Sequence, residues 1–66
     1  MKLCELCYAV WSSRVSIFIE GEKGCHEFRS GYDKSSAIHK ACEEFGDRFV
    51  TCIFPLSQSE MTITIK

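Results

Sequence analysis

The sequence predicts a small α+β protein in which a single helix packs on one face of a small antiparallel sheet of four to five strands. Three observations predict this fold class. Residues 33–46 show an amphipathic helical pattern with both ends marked, alternating apolar segments flank that pattern, and 66 residues suit one domain. Residues 1–66 are therefore predicted to form a single domain with the order β-β-β-α-β-β, or ββαββ if the first two strands are one bent strand.

The strands before the helix follow from composition and alternation. Residues 3–11 are rich in apolar and aromatic side chains and are predicted to form the first strand. In residues 15–20 three aliphatic residues, Val15, Ile17 and Ile19, occupy every second position. This alternation predicts a second strand with Phe18 on the opposite face. The glycines of residues 21–24 indicate a hairpin loop, and the third strand is expected around residues 25–30.

The helix is the clearest element. Asp33 or Ser35 is expected to cap its first free N–H groups, and Gly46 is expected to adopt the left-handed conformation that commonly follows a helix end. The helical spacing predicts one buried apolar stripe, formed by Ile38, Ala41, Cys42 and Phe45.

Two further strands are predicted after the helix. The first covers residues 48–54 and ends at Pro55, because proline cannot donate to the hydrogen-bond ladder. Its alternation places Val50, Cys52 and Phe54 on one face, opposite Phe49 and Ile53. The second covers residues 61–66, a half-buried alternation in which the terminal charge of Lys66 suggests an edge strand.

Composition and charge narrow the function classes. The net charge is −1 and the basic residues are scattered, which argues against a nucleic-acid binder; that alternative would use Arg14, Arg29 and Arg48 beside exposed aromatic side chains.

No segment has the length or leader pattern of a membrane or export signal, so we expect a soluble cytoplasmic protein without a membrane partner. The odd count of five cysteines predicts reduced thiols rather than a disulfide framework.

A zinc-stabilised module is the main alternative to a metal-free domain. Cys4, Cys7, His39 and Cys42 have the composition of a Cys₃His site. However, an extended run would send Cys4 and Cys7 to opposite faces, so we predict no metal and no cofactor.

Catalysis is not expected. Cys25 and His26 are adjacent in a predicted strand and would point to opposite faces, so they would not form a nucleophile–base pair. Paired carboxylates and a nucleophile elbow are also missing from the sequence.

A protein partner is expected from the size of the domain. One helix is about 10–12 Å across, whereas five strands span roughly 20–24 Å, so part of the sheet needs another cover. A chain of this length also has little surface to bury on its own, so either a different protein or a second copy fits. The candidate surfaces are the sheet face around Phe18 and the outer, acidic face of the helix, which carries His39, Lys40, Glu43, Glu44 and Asp47.

One resemblance extends this expectation. Residues 28–30, a short turn, the helix start at residues 35–41 and the strand from Arg48 resemble the strand–helix–strand unit of many small phage-encoded proteins. That group includes anti-CRISPR and other anti-defence inhibitors with ββαββ sheets. The resemblance implies a compact, non-catalytic, cytosolic inhibitor or regulator of a host complex, and it implies no individual functional residue.

Overall fold

The structure is a computed structural model that describes residues 1–33 and 35–66. Its elements, in chain order, are a 3₁₀ helix Leu3–Tyr8, β1 Arg14–Ile19, β2 His26–Arg29, α1 Ala37–Phe45, β3 Val50–Pro55 and β4 Glu60–Ile65. The α+β class and the strand order β-β-α-β-β are therefore confirmed.

The four strands form one mixed sheet in the spatial order β2-β1-β4-β3. β1 pairs with β2 and β3 pairs with β4 in antiparallel fashion, but the two central strands β1 and β4 are parallel. The prediction of a wholly antiparallel sheet was therefore wrong, as was the placement of residues 61–66 at an edge. Ile63 and Ile65 are fully buried, which a strand achieves most readily with a neighbour on each side.

The first segment is not a strand. Residues 3–8 form a 3₁₀ helix, which has three residues per turn, so Leu3 and Leu6 lie on the same side and both are buried. This short helix and α1 together cover one face of the sheet, which explains how a single α-helix suffices there.

The hairpin between β1 and β2 forms as predicted. Gly21 and Gly24 have φ values of +87° and +81°, a region that side chains other than glycine rarely adopt. The Glu22 N–H donates to the Ile19 carbonyl (3.0 Å) at the start of the turn.

The N-terminus of α1 is capped by a residue distant in sequence. The Ser12 hydroxyl accepts the Ile38 N–H (2.9 Å), and the Ser12 carbonyl accepts the Ala37 N–H (2.8 Å). In return, the Ser12 N–H donates to the hydroxyl of the N-cap residue Ser36 (2.9 Å). Ser12 is completely buried, so these bonds satisfy polar groups that water does not reach.

Both predicted helix ends need correction. Asp33 and Ser35 do not cap α1; the Asp33 carboxylate instead accepts bonds from the Ser35 N–H (3.1 Å) and hydroxyl (2.7 Å) just before the helix. Gly46 is right-handed, with φ −56° and ψ −30°. Glycine suits this position because of space, since a Cβ there would lie 2.5 Å from the Cys42 carbonyl oxygen.

The core lies between the sheet and the two helices. It includes the predicted stripe residues Ile38, Ala41 and Phe45, with Cys42 partly buried at its margin. The other core side chains are Leu3, Leu6, Val15, Ile17, Ile19, Ala37, Ile63 and Ile65.

A bulge changes the alternation of β3. Val50 lies opposite Ile65 whereas Cys52 lies opposite Thr64, so Thr51 is an extra residue in this strand. As a result Val50 shares the helix side of the sheet with Ile53, and Cys52 and Phe54 lie on the other side. The predicted grouping of Val50 with Cys52 and Phe54 was therefore wrong.

Candidate functional site

Among residues 1–33 and 35–66, no element covers one face of the sheet, and we call it the open face. Its side chains are all at least partly exposed: Arg14, Ser16, Phe18, Glu27, Arg29, Cys52, Phe54, Glu60, Thr62 and Thr64. Phe18 is 39% exposed, whereas the aliphatic residues of β1 on the helix side are nearly inaccessible. The sequence-predicted separation of Phe18 from those residues is confirmed.

The open face combines aromatic and hydroxyl side chains. Phe18 lies beside Thr64, which lies beside Cys52 on the far strand. In the next row, Ser16 lies beside Thr62, which lies beside Phe54. The two phenylalanines therefore stand on either side of a strip of small hydroxyl groups along the centre of the sheet.

The charged end of the open face is electrically balanced. Arg14 lies 3.9 Å from a Glu27 carboxylate oxygen and 3.7 Å from one of Glu60, and Arg29 lies 2.9 Å from Glu27. Two of the three arginines of the nucleic-acid alternative therefore come together on the same face as Phe18, at the far end of β1, but two carboxylates pair with them. Arg48 lies apart, where it donates to the Lys66 carbonyl (2.7 Å). The face thus lacks the positive field that phosphate binding requires.

The outer helix face is the second candidate surface, defined by His39, Lys40, Glu43, Glu44 and Asp47. Its members are exposed except for Lys40, which is half-buried. All but Asp47 line a shallow groove that also includes Phe28, Asp33 and Ser35. The hydroxyl and backbone N–H of Ser35 lower the pKa of Asp33, so this carboxylate adds negative charge to the groove.

The two candidate surfaces do not form a single site. The outer helix face lies on the helix side of the sheet, where its groove reaches Phe28 of β2, and the open face lies on the opposite side of the sheet. Phe54 and Cys52, which join Phe18 on the open face, were missed from the sequence. The alternation of β4 opposite β3 is the signal that assigns them there, once the bulge at Thr51 is known.

Three cysteines lie close together between the 3₁₀ helix and α1. The helical turn brings Cys4 and Cys7 to the same side, which corrects the expectation that they would point to opposite faces. The Cys7 thiol donates to the Cys4 carbonyl (2.9 Å), and the Cys42 thiol donates to the Leu3 carbonyl (3.2 Å). Burial, together with the nearby Cys7 and Cys4 thiols, raises the pKa of Cys42 to about 12.

The structure brings together three of the four residues of the zinc alternative. His39 lies one turn before Cys42 on α1, but its side chain is exposed and lines the groove on the outer helix face. Within the described part of the chain, no three His, Cys, Asp or Glu side chains are arranged as the ligands of one metal ion.

His26 contacts the core rather than its neighbour in sequence. Its ring centroid lies 5.2 Å from that of Phe45 in an edge-on arrangement. Cys25 precedes β2 in the loop and is exposed.

The raised pKa of Cys42 predicts slow alkylation. Iodoacetamide reacts with the thiolate, so at pH 8 we expect Cys42 to be modified at least about tenfold more slowly than the exposed Cys25 and Cys52. Mass spectrometry of digests taken over time measures these rates, and the urea-denatured chain serves as the control in which all sites react alike. Labelling of Cys42 in the folded protein as fast as Cys25 would contradict the raised pKa of this partly buried thiol.

Comparison with protein families, with curated proteins and with solved structures found no match. In residues 1–33 and 35–66, neither helix is long and apolar enough to cross a lipid bilayer.

Proposed function

We propose that this chain is a small non-catalytic protein-binding module whose contact surface is the open face around Phe18. The observation that carries the proposal is the exposure of Phe18 and Phe54 on a sheet face with no covering layer. Aromatic side chains are enriched at protein interfaces, where they bury a large area at low entropic cost. The hydroxyl groups between them supply hydrogen bonds that fix the orientation of a partner.

A protein partner fits this face better than a nucleic acid. The arginines at its charged end are paired with Glu27 and Glu60, so binding would draw little energy from phosphate contacts. The same pairs would form a polar rim beside the aromatic centre, an arrangement typical of protein–protein interfaces.

The resemblance to small phage-encoded inhibitors suggests what such a partner would be. A non-catalytic domain of 66 residues acts by occupying a surface of a larger assembly. We therefore propose that it inhibits or regulates a host complex in the cytoplasm, as a product of a phage or another mobile element.

The outer helix face is the rival surface for the same function. Glu43, Glu44 and Asp47 are exposed and would suit a basic partner surface. Because the two surfaces lie on opposite sides of the protein, single substitutions separate them.

Affinity capture from lysate of the host cell tests the proposal. We expect Phe18→Ser to reduce recovery of the partner at least about tenfold, the effect of losing an interface aromatic worth more than about 1.4 kcal/mol. Glu44→Lys is the matched variant on the outer helix face and should leave recovery unchanged. Circular dichroism confirms that both variants are folded.

The opposite result in the capture experiment would place the binding surface on the other side of the protein. Loss of the partner with Glu44→Lys but not with Phe18→Ser would assign binding to the outer helix face. Undiminished capture by both variants would contradict both surfaces.

A further inference from the structure

β3 lies at one end of the sheet, and only the first part of its outer edge is covered. The Val50 N–H donates to the Met1 carbonyl (2.8 Å), and the Leu3 N–H donates to the Arg48 carbonyl (2.9 Å). Residues 1–3 therefore run along this edge as far as Val50. Beyond it, the outer side of residues 51–55 has no neighbouring strand in the described part of the chain, and we call these residues the β3 edge.

The backbone orientation of the β3 edge follows from its pairing with β4. Pro55 lies opposite Met61, and the next residue, Leu56, donates its N–H to the Glu60 carbonyl (2.9 Å). Since backbone groups alternate along an antiparallel strand, Phe54 points its N–H and C=O at β4, whereas Ile53 points both outward. Pro55 also points outward but has only an acceptor.

We infer that the β3 edge pairs with the same edge of a second copy, antiparallel, about a twofold axis that passes between the two Ile53 residues. Each Ile53 N–H donates to the Ile53 carbonyl of the other copy, so this pairing gives two hydrogen bonds by symmetry. The two sheets then join into one continuous sheet of eight strands. This inference goes beyond the proposed function, because the partner is a second copy and the contact is the outer edge of β3, which shares Cys52 and Phe54 but not Phe18 with the open face.

The side chains of this region are uncharged and, apart from Thr51, apolar, and they are unusually exposed for their type. No charged residue occurs between Phe49 and Leu56. In the proposed pairing Ile53 meets Ile53 of the other copy on the helix side, and Phe54 lies opposite Cys52 of the other copy on the open face. Side chains that face each other across paired strands stabilise the pair when they are β-branched or aromatic.

The available area sets the strength of the dimer. Ile53 is 42% exposed, Phe54 62% and Leu56 49%. With large side chains burying about 150–250 Å² each, these exposed parts amount to roughly 300 Å² per copy and about 600 Å² for the pair. Backbone and smaller side chains bring the total to about 1,000 Å², the lower limit for a specific interface. We therefore expect a weak dimer that forms at high protein concentration.

Several features stop the association at two copies. Residues 1–3 and Pro55 limit the β3 edge to a short segment, and the bulge at Thr51 interrupts its regularity. The opposite edge of the sheet, β2, is short and carries His26, Glu27 and Arg29. Because one edge pairs only with itself, the contact is closed by the twofold axis.

Sedimentation equilibrium from about 10 μM to about 1 mM tests the dimer, a range that spans weak dissociation constants. The unmodified chain is expected to shift from monomer to dimer over this range. Ile53→Lys and Ile53→Glu each place like charges against each other at the twofold axis, so each variant alone should remain monomeric. An equimolar mixture of the two should dimerise again, because lysine then faces glutamate.

Matched controls exclude a general effect of surface charge. Tyr32 is fully exposed and lies outside the β3 edge, so Tyr32→Lys and Tyr32→Glu should dimerise like the unmodified chain. If a charged variant at Ile53 fails to fold by circular dichroism, Ile53→Pro replaces it. Proline removes the outward N–H and leaves the ladder to β4 intact, so this variant should also be monomeric.

Three results would overturn the inference. These are a monomeric unmodified chain at about 1 mM, a mixture of the two charge variants that stays monomeric, and growth of the unmodified chain into species larger than dimers. None of them affects the capture experiment with Phe18→Ser, so failure of the dimer is distinguishable from failure of the proposed function.

Discussion

Replacing Phe45 with alanine is expected to lower the free energy of unfolding by about 3–5 kcal/mol, the range for truncating a buried phenylalanine. Phe45 is only 9% exposed and lies at the end of the apolar stripe of α1. Its ring makes edge-on contacts with His26 (5.2 Å between centroids) and Phe28 (6.2 Å), which tie the helix to β2. Because small domains have total stabilities of about 5–15 kcal/mol, the variant should be largely unfolded or close to it.

Urea unfolding followed by circular dichroism measures this loss. Tyr32→Ala is the matched control, since it removes an aromatic ring that is fully exposed, and it should change the stability by less than about 0.5 kcal/mol. A Phe45→Ala variant that unfolds at the same urea concentration as the unmodified chain would contradict the placement of Phe45 in the core.

Ser12→Ala is expected to cost about 1–3 kcal/mol, the penalty for leaving a buried backbone donor without a partner. The variant loses the hydroxyl that accepts the Ile38 N–H (2.9 Å), and Ser12 is fully buried, so water does not replace it readily. Ser35→Ala is the matched control, because Ser35 lies at the sequence-predicted cap but its hydroxyl donates to the Asp33 carboxylate on the surface. That change should cost less than about 0.5 kcal/mol.

Urea unfolding of the two serine variants compares how much each serine contributes to the free energy of unfolding. A greater loss of stability from Ser35→Ala than from Ser12→Ala would mean that Ser35, the cap predicted from the local sequence, stabilises the helix start more than Ser12 does. It would therefore contradict the long-range bonds of Ser12.

The elements that were predictable from sequence are those set by local periodicity. The stripe of α1 recurs every three to four residues, and the alternation of β1 separates Phe18 from its aliphatic neighbours, so both were assigned correctly. The turn between β1 and β2 was equally clear, because Gly21 and Gly24 supply the positive φ values.

The errors arose where distant contacts decide the structure. Residues 3–8 contain too few turns to distinguish a strand from a helix with Leu3 and Leu6 on one side. The helix cap comes from Ser12, 26 residues before the Ile38 N–H that it accepts. Local sequence patterns likewise do not predict the parallel pairing of β1 with β4, and for this reason β4 was predicted to be an edge strand.

The candidate surfaces were only partly predictable. Phe18 was placed on the open face by alternation, and the residues of the outer helix face followed from helical spacing. Phe54 was grouped correctly with Cys52 and opposite Ile53, but the bulge at Thr51 takes Val50 out of that group, and the pairing with β4 that puts Phe54 on the face of Phe18 is not local. The proximity of Cys42 to Cys4 and Cys7 depends on how two helices pack, and no spacing in the sequence encodes it.

The parallel pair at the centre of the sheet also affects how fast the chain can fold. Contacts at the start of that pair join Ser13 to Ser59, which are 46 residues apart in sequence. Closing so long a loop costs conformational entropy before the pair returns any stabilisation, so we infer that folding is slow for the size of the domain. In any state where β4 is not yet paired with β1, the core lacks Ile63 and Ile65. Such a state exposes apolar surface, and binding by chaperones or aggregation would compete with folding there.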